Sequence, residues 1–119
     1  MKYLRSFLSD PADFLTWLVA QPADTTYGCM STNCPLAEYL NAKNPRYEHS
    51  VNCGHLTAWR RDGSFTGQQE TTPIWCGRFI SIYDSRVTQT QIRSHLEPGT
   101  TLSVAIKAME DLINEHRAI

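Results

Sequence analysis

At 119 residues the chain suits one hydrophobic core and has no room for two, so residues 1–119 are expected to form a single globular domain that needs neither disulfide nor metal to hold it. Its 41% hydrophobic and 19% charged content excludes global disorder. With a formal charge of −1, the totals are those of neither a polyanion-binding protein nor an acidic nucleic-acid mimic.

The first residues, Met1 to Leu8, begin like a signal peptide with Lys2 and Arg5. Ser9-Asp10-Pro11 interrupts the apolar run that a signal would need, and no stretch approaches the roughly 20 apolar residues of a membrane span. A cytoplasmic location is therefore expected, in which the four cysteines serve as thiols or metal ligands rather than disulfides. Asp10-Pro11-Ala12-Asp13 predicts a helix start, with Asp10 as cap and Pro11 in the first turn. Phe14, Leu15, Trp17 and Leu18 form its apolar stripe, and Gln21-Pro22 ends it. Residues 22–33 read as a loop. A second helix is predicted from Asn33-Cys34-Pro35, with Leu36, Ala37, Tyr39 and Leu40 inward, ending at Asn44-Pro45.

From Tyr47 to Cys53 apolar and polar residues alternate, which is strand periodicity. Asp62-Gly63 has the form of a two-residue hairpin turn pairing 55–61 with 64–68, against the alternative of a helix over 52–61. Thr72-Pro73 opens a helix carrying Trp75, Phe79, Ile80 and Tyr83. Gly77 and the β-rich run Arg78–Tyr83 leave a strand as the alternative for residues 74–84. A short helix is predicted over 88–96 with Ile92 and Leu96 inward, His95 near its end, then a break at Glu97-Pro98-Gly99. The last helix is capped by Thr100 or Thr101 and buries Leu102, Ala105, Ile106, Met109, Leu112, Ile113 and His116, with Lys107, Glu110, Asp111, Asn114 and Arg117 opposite. The expected fold is α+β, mainly helical: about four to five short helices packed around a small β-hairpin or sheet.

No Gly-rich phosphate loop, G-x-S-x-G, H-E-x-x-H or Walker pattern is present, so enzyme classes that carry such motifs are disfavoured and no catalytic residue is assigned. Cys29 and Cys34, spaced C-x4-C, together with Cys53 and either His55 or Cys76, supply the sulfur and nitrogen donors of a zinc-stabilised module. Against this, cysteines are small and often buried, and C-x-H is a tight spacing for two ligands on one metal. Cys34 at a helix start, with His49 or His55 as base, is the form a cysteine nucleophile takes, because a helix N-terminus favours thiolate. Between residues 43 and 61, Lys43, Arg46, Arg60 and Arg61 interleave with Tyr47 and Trp59, the composition of a weak nucleic-acid binder. The leading expectation is a small non-enzymatic protein-interaction domain, a regulator, adaptor or inhibitor of a larger complex that also has the option of a homodimer. Its contact residues are expected among Tyr27, Met30, Trp59, Arg60, Arg61 and Phe65, since aromatics, Met and Arg are enriched where proteins meet.

Overall fold

Asp10 caps the first α-helix as expected: its carboxylate accepts the Ala12 N–H at 2.9 Å, with Pro11 in the first turn. This helix, α1, spans Pro11–Val19 and follows a 3-10 helix over Leu4–Leu8. The computed structural model describes residues 3–93 and 96–117, with the backbone alone at 91–93 and 116–117. The placements expected for Ile92, His95, His116 and Arg117 lie outside what is described. After the loop at 22–33 come α2 (Pro35–Lys43), β1 (Tyr47–Val51), β2 (His55–Arg60), β3 (Phe65–Thr71), α3 (Ile74–Arg93) and α4 (Thr100–Arg117). The fold is α+β and mainly helical: among the described residues, four α-helices and one three-stranded antiparallel sheet in the order β1-β2-β3. Among the described residues no helix is long and apolar enough to cross a membrane.

The hairpin at Asp62-Gly63 forms, and the alternative helix over 52–61 does not. Its turn is longer than a two-residue loop. Gly63 N–H bonds to Arg60 C=O, and Gly63 has φ +90°. The loop is thus a tight turn followed by a left-handed residue, a conformation glycine adopts without strain. Residues 74–84 are helical despite their β-branched content. Cys76, Phe79, Ile80, Tyr83 and Val87 are all buried, a four-residue rhythm that only a helix turns to one side. That stripe runs on with no Gly or Pro after Gly77, so the two helices expected over 73–83 and 88–96 are one helix of 20 residues. Thr101, read as a possible cap, lies in the first turn of α4, and its hydroxyl accepts the Tyr27 N–H at 2.6 Å.

Register divides the sheet into two faces. Val51 pairs with Leu56 and His49 with Ala58 on the buried face; Glu48 pairs with Trp59, Ser50 with Thr57, and Trp59 with Phe65 on the other. β3 carries a bulge, because Ala58 stands opposite the segment between Phe65 and Gln69. Gly67 takes φ +85° there, and the Thr66 hydroxyl donates to Ala58 C=O at 2.7 Å in place of a main-chain rung. Glu70, on the buried face, accepts the Leu4 and Arg5 N–H groups at 2.7 and 3.0 Å. It caps the 3-10 helix from 66 residues further along the chain.

The core is organised around Phe14, whose ring meets Tyr39 and Phe79 edge-on at 5.1 and 5.2 Å and Trp75 at 5.9 Å. The Trp75 indole N–H donates to Leu8 C=O, tying α3 to the 3-10 helix. Arg86–Asp111 and Arg78–Glu115, each 2.8 Å, join α3 to α4. Asp111, expected opposite the buried stripe of the last helix, therefore links two helices.

Candidate functional site

Two regions gather the residues singled out in the sequence. The first is a cavity of about 430 Å³ lined by Cys29, Met30, Ser31, Cys34, Val51, Asn52, Cys53, Gly54, Ile80 and Asp84. The loop that carries Cys29 and Cys34 is braced from within. Gly28 N–H bonds to Asn33 C=O, Met30 N–H to the Asn33 side chain, and Asn33 and Cys34 N–H to Met30 C=O. It is also braced from outside: Ser31 C=O accepts the Val51 N–H, and the Tyr83 hydroxyl donates to Gly28 C=O. Opposite, the Asn52 side chain accepts the Gly54 and His55 N–H groups and fixes the turn that presents Cys53.

Three of the five candidate metal ligands, Cys29, Cys34 and Cys53, thus share one cavity. The other two do not join them. Cys76 is fully buried and does not line the cavity. His55 is exposed and pairs with Thr71 at the start of β2, whereas the Cys53 sulfur lies 3.8 Å from Gly77 C=O against α3. Among the described residues no group of three or more His, Cys, Asp or Glu side chains is disposed to hold a metal ion.

The electrostatics of the cavity favour the protonated thiol at Cys29 and Cys34. Cys34 does stand at the start of α2, and main-chain N–H groups of Leu36 and Ala37 favour its thiolate, yet burial outweighs them and pushes the thiol up to about 11. This reverses the expectation that a helix-start cysteine would be acidic: with only a few per cent of Cys34 exposed, desolvation is the larger effect. Burial, reinforced by the charge of Asp84 and a hydrogen bond to it, also raises Cys29. The Asp84 carboxyl is itself raised by burial, with the Cys29 hydrogen bond opposing. Its Oδ1 is closed off from solvent and has no hydrogen-bond partner.

His49 does not serve Cys34. It is buried under α2, with Nδ1 2.9 Å from Asn41 Oδ1 and Nε2 3.0 Å from Asn44 Nδ2. These partners fix Nδ1 as the donor and Nε2 as the acceptor, so the ring is neutral and both nitrogens are occupied. Burial, then the charge of Arg61, lowers it to about 4.

The second region is the outer face of the sheet. Trp59 and Phe65 are 36% and 47% exposed, and their rings lie 5.2 Å apart. Arg61 donates to Pro45 C=O and pairs with Glu48 of this face, whereas Arg60, in register with Tyr47, falls on the opposite face and donates to Phe65 C=O. Met30 is exposed at the rim of the cavity, but Tyr27 is buried and packs against Trp17. Tyr27 therefore belongs to the core rather than to a contact surface. Tyr47 and Trp59 fall on opposite faces of the sheet, so they do not make one stacking platform, and Lys43 lies over the Tyr39 ring.

Asp84 was not legible along the chain, since a lone aspartate within a helix reads as a solvent residue. Only the packing of α3 against the 28–34 loop brings it to the cysteines. No protein-family model, curated protein or solved structure matches this chain.

Proposed function

We propose that the chain is a non-enzymatic protein-interaction domain, a regulator, adaptor or inhibitor, that docks a partner on the outer face of its sheet around Trp59 and Phe65. The observation that carries this reading is the pair itself: two large aromatic side chains in contact with each other and open to solvent, on a face the helices leave uncovered. Such rigid aromatic anchors supply much of the energy at protein contacts. Arg61 stands at the end of this face, paired with Glu48, its guanidinium already held by Pro45 C=O, which reduces the entropy lost when a partner orders it. Against a catalytic role stand the raised thiols and the fully hydrogen-bonded His49 ring.

The test is a photo-crosslinking amino acid at Phe65, with a control at exposed Thr16 on α1, in cells that make the protein. A discrete adduct from position 65, missing from position 16 and lost on Trp59→Ala, is the expected result. An adduct with a second copy of the chain identifies a homodimer. Equal, diffuse labelling from both positions overturns the reading.

A further inference from the structure

Two of the cysteines beside the cavity sit over neighbouring turns of α3. The Cys53 sulfur lies 3.8 Å from Gly77 C=O and 4.0 Å from Ser81 Oγ, and the Cys29 thiol hydrogen-bonds to Asp84. Ser81 and Asp84 stand three positions apart on α3, which puts them on one face with a rise of about 4.5 Å between them. A disulfide joins Cα atoms roughly 4.4–6.8 Å apart, a span of the same size. The segments that carry the two cysteines are also tied to each other. Ser31 C=O accepts the Val51 N–H at 2.8 Å, two residues from each cysteine along the chain. Cys29 and Cys53 are both exposed and line one cavity, whereas Cys34 and Cys76 are buried.

We propose that Cys29 and Cys53 form a reversible thiol–disulfide pair, oxidised by a small disulfide such as oxidised glutathione, whose bridge staples the 28–34 loop to the turn between β1 and β2. In the first step the Cys53 thiolate attacks one sulfur of the small disulfide. A bond forms between the two sulfurs, the original S–S bond breaks, and one glutathione leaves and takes a proton from solvent. In the second step the Cys29 sulfur gives its proton to solvent and attacks the Cys53 sulfur, expelling the other glutathione. Two protein thiols are oxidised and one small disulfide is reduced to two thiols. Burial and the Asp84 charge make the Cys29 thiolate harder to form, so Cys29 takes the second step, where its target is already held beside it. Neither thiol belongs to the Trp59 and Phe65 face, so the pair forms whether or not a partner docks there.

The test incubates the whole chain in mixtures of reduced and oxidised glutathione at neutral pH, traps free thiols by alkylation, and reads the intact mass and the linked peptides. The expected product is a chain two hydrogens lighter, with Cys29 joined to Cys53 and with Cys34 and Cys76 alkylated. In urea the same bridge is expected to be about tenfold or more less favourable against glutathione, because the fold no longer holds the sulfurs together. Cys34→Ser is expected to leave the bridge in place, and Cys29→Ser to stop at one glutathionyl group on Cys53. A bridge that uses Cys34, separate glutathionyl groups on Cys29 and Cys53, or a bridge no more favourable than in urea overturns the proposal. The wild-type chain gives each of these results by itself, so the outcome holds even where a variant fails to fold.

Discussion

The His49 imidazole is buried between two asparagine side chains, and that burial makes stability depend on pH. Its folded value is about 4 against 6.5 for an ordinary histidine, lowered by burial and then by Arg61. Below pH 6.5 the unfolded chain takes up a proton that the folded chain refuses. The contribution of His49 is therefore complete above pH 6.5 and is lost as pH falls toward 4, with a slope of up to about 1.4 kcal/mol per unit. Urea unfolding at pH 7.5, 6 and 5 measures this slope. His49→Leu is expected to flatten it and to cost about 1–3 kcal/mol at pH 7.5, because Asn41 and Asn44 lose their partner. An unchanged slope in the variant would place its origin elsewhere. Two glycines behave in opposite ways. A Cβ on Gly77 would lie 3.6 Å from Cys53 C=O, an ordinary contact, so Gly77→Ala is expected to stabilise α3 by about 0.5–1 kcal/mol. A Cβ on Gly99 would collide with Ala23 C=O, at a φ of +87°. Gly99→Ala is expected to destabilise by more than about 1 kcal/mol. Denaturation midpoints of the two variants are expected to move in opposite directions from wild type.

The two outer strands of the sheet are finished differently. On β1 every outward N–H has an acceptor: Tyr47 bonds to Asn44 C=O, His49 to the Asn41 side chain and Val51 to Ser31 C=O. On β3 the rungs at Arg60–Ser64 and Gly54–Thr72, continued by alternation, turn the main chain of Gln69 and Thr71 away from β2 toward the free edge. The bulge at Gly67 kinks this edge, a common way of discouraging strand addition. Amide hydrogen exchange separates the two edges. The His49 and Val51 amides are expected to exchange slowly and with the core, the Gln69 and Thr71 amides within the early time points. Equal protection would show that something covers β3. The strands themselves were legible from alternation at 47–53 and from Asp62-Gly63. The bulge was not, because Gly67 within a polar run gives no periodicity to interrupt.

The helices meet around Phe14, which touches aromatic rings from α1, α2 and α3. Phe14→Ala opens a cavity where three elements converge and is expected to cost about 3–5 kcal/mol. Calorimetry or urea unfolding measures it, and a loss below about 1 kcal/mol would mean that the aromatic cluster is not the centre of the core. The same packing determines the cavity, because α3 carries both Tyr83, which holds the 28–34 loop, and Asp84, which lines the space beneath it.

Local pattern determined most of the elements. Proline and a capping aspartate started α1, alternation marked the strands, and the stripes of α2 and α4 identified their buried faces. These features depend on residues within a few positions of one another, which is why they can be read along the chain. Contacts between distant segments were decided only by tertiary structure. Burial raised Cys34 against the pull of its helix start, Tyr27 turned inward, and His49 was taken up by two asparagines. Cys29, Cys34 and Cys53 came together with Asp84, while His55 and Cys76 stayed apart. Spacing in sequence sets which face of an element a side chain occupies, whereas desolvation and partnership depend on what the folded chain packs against that face.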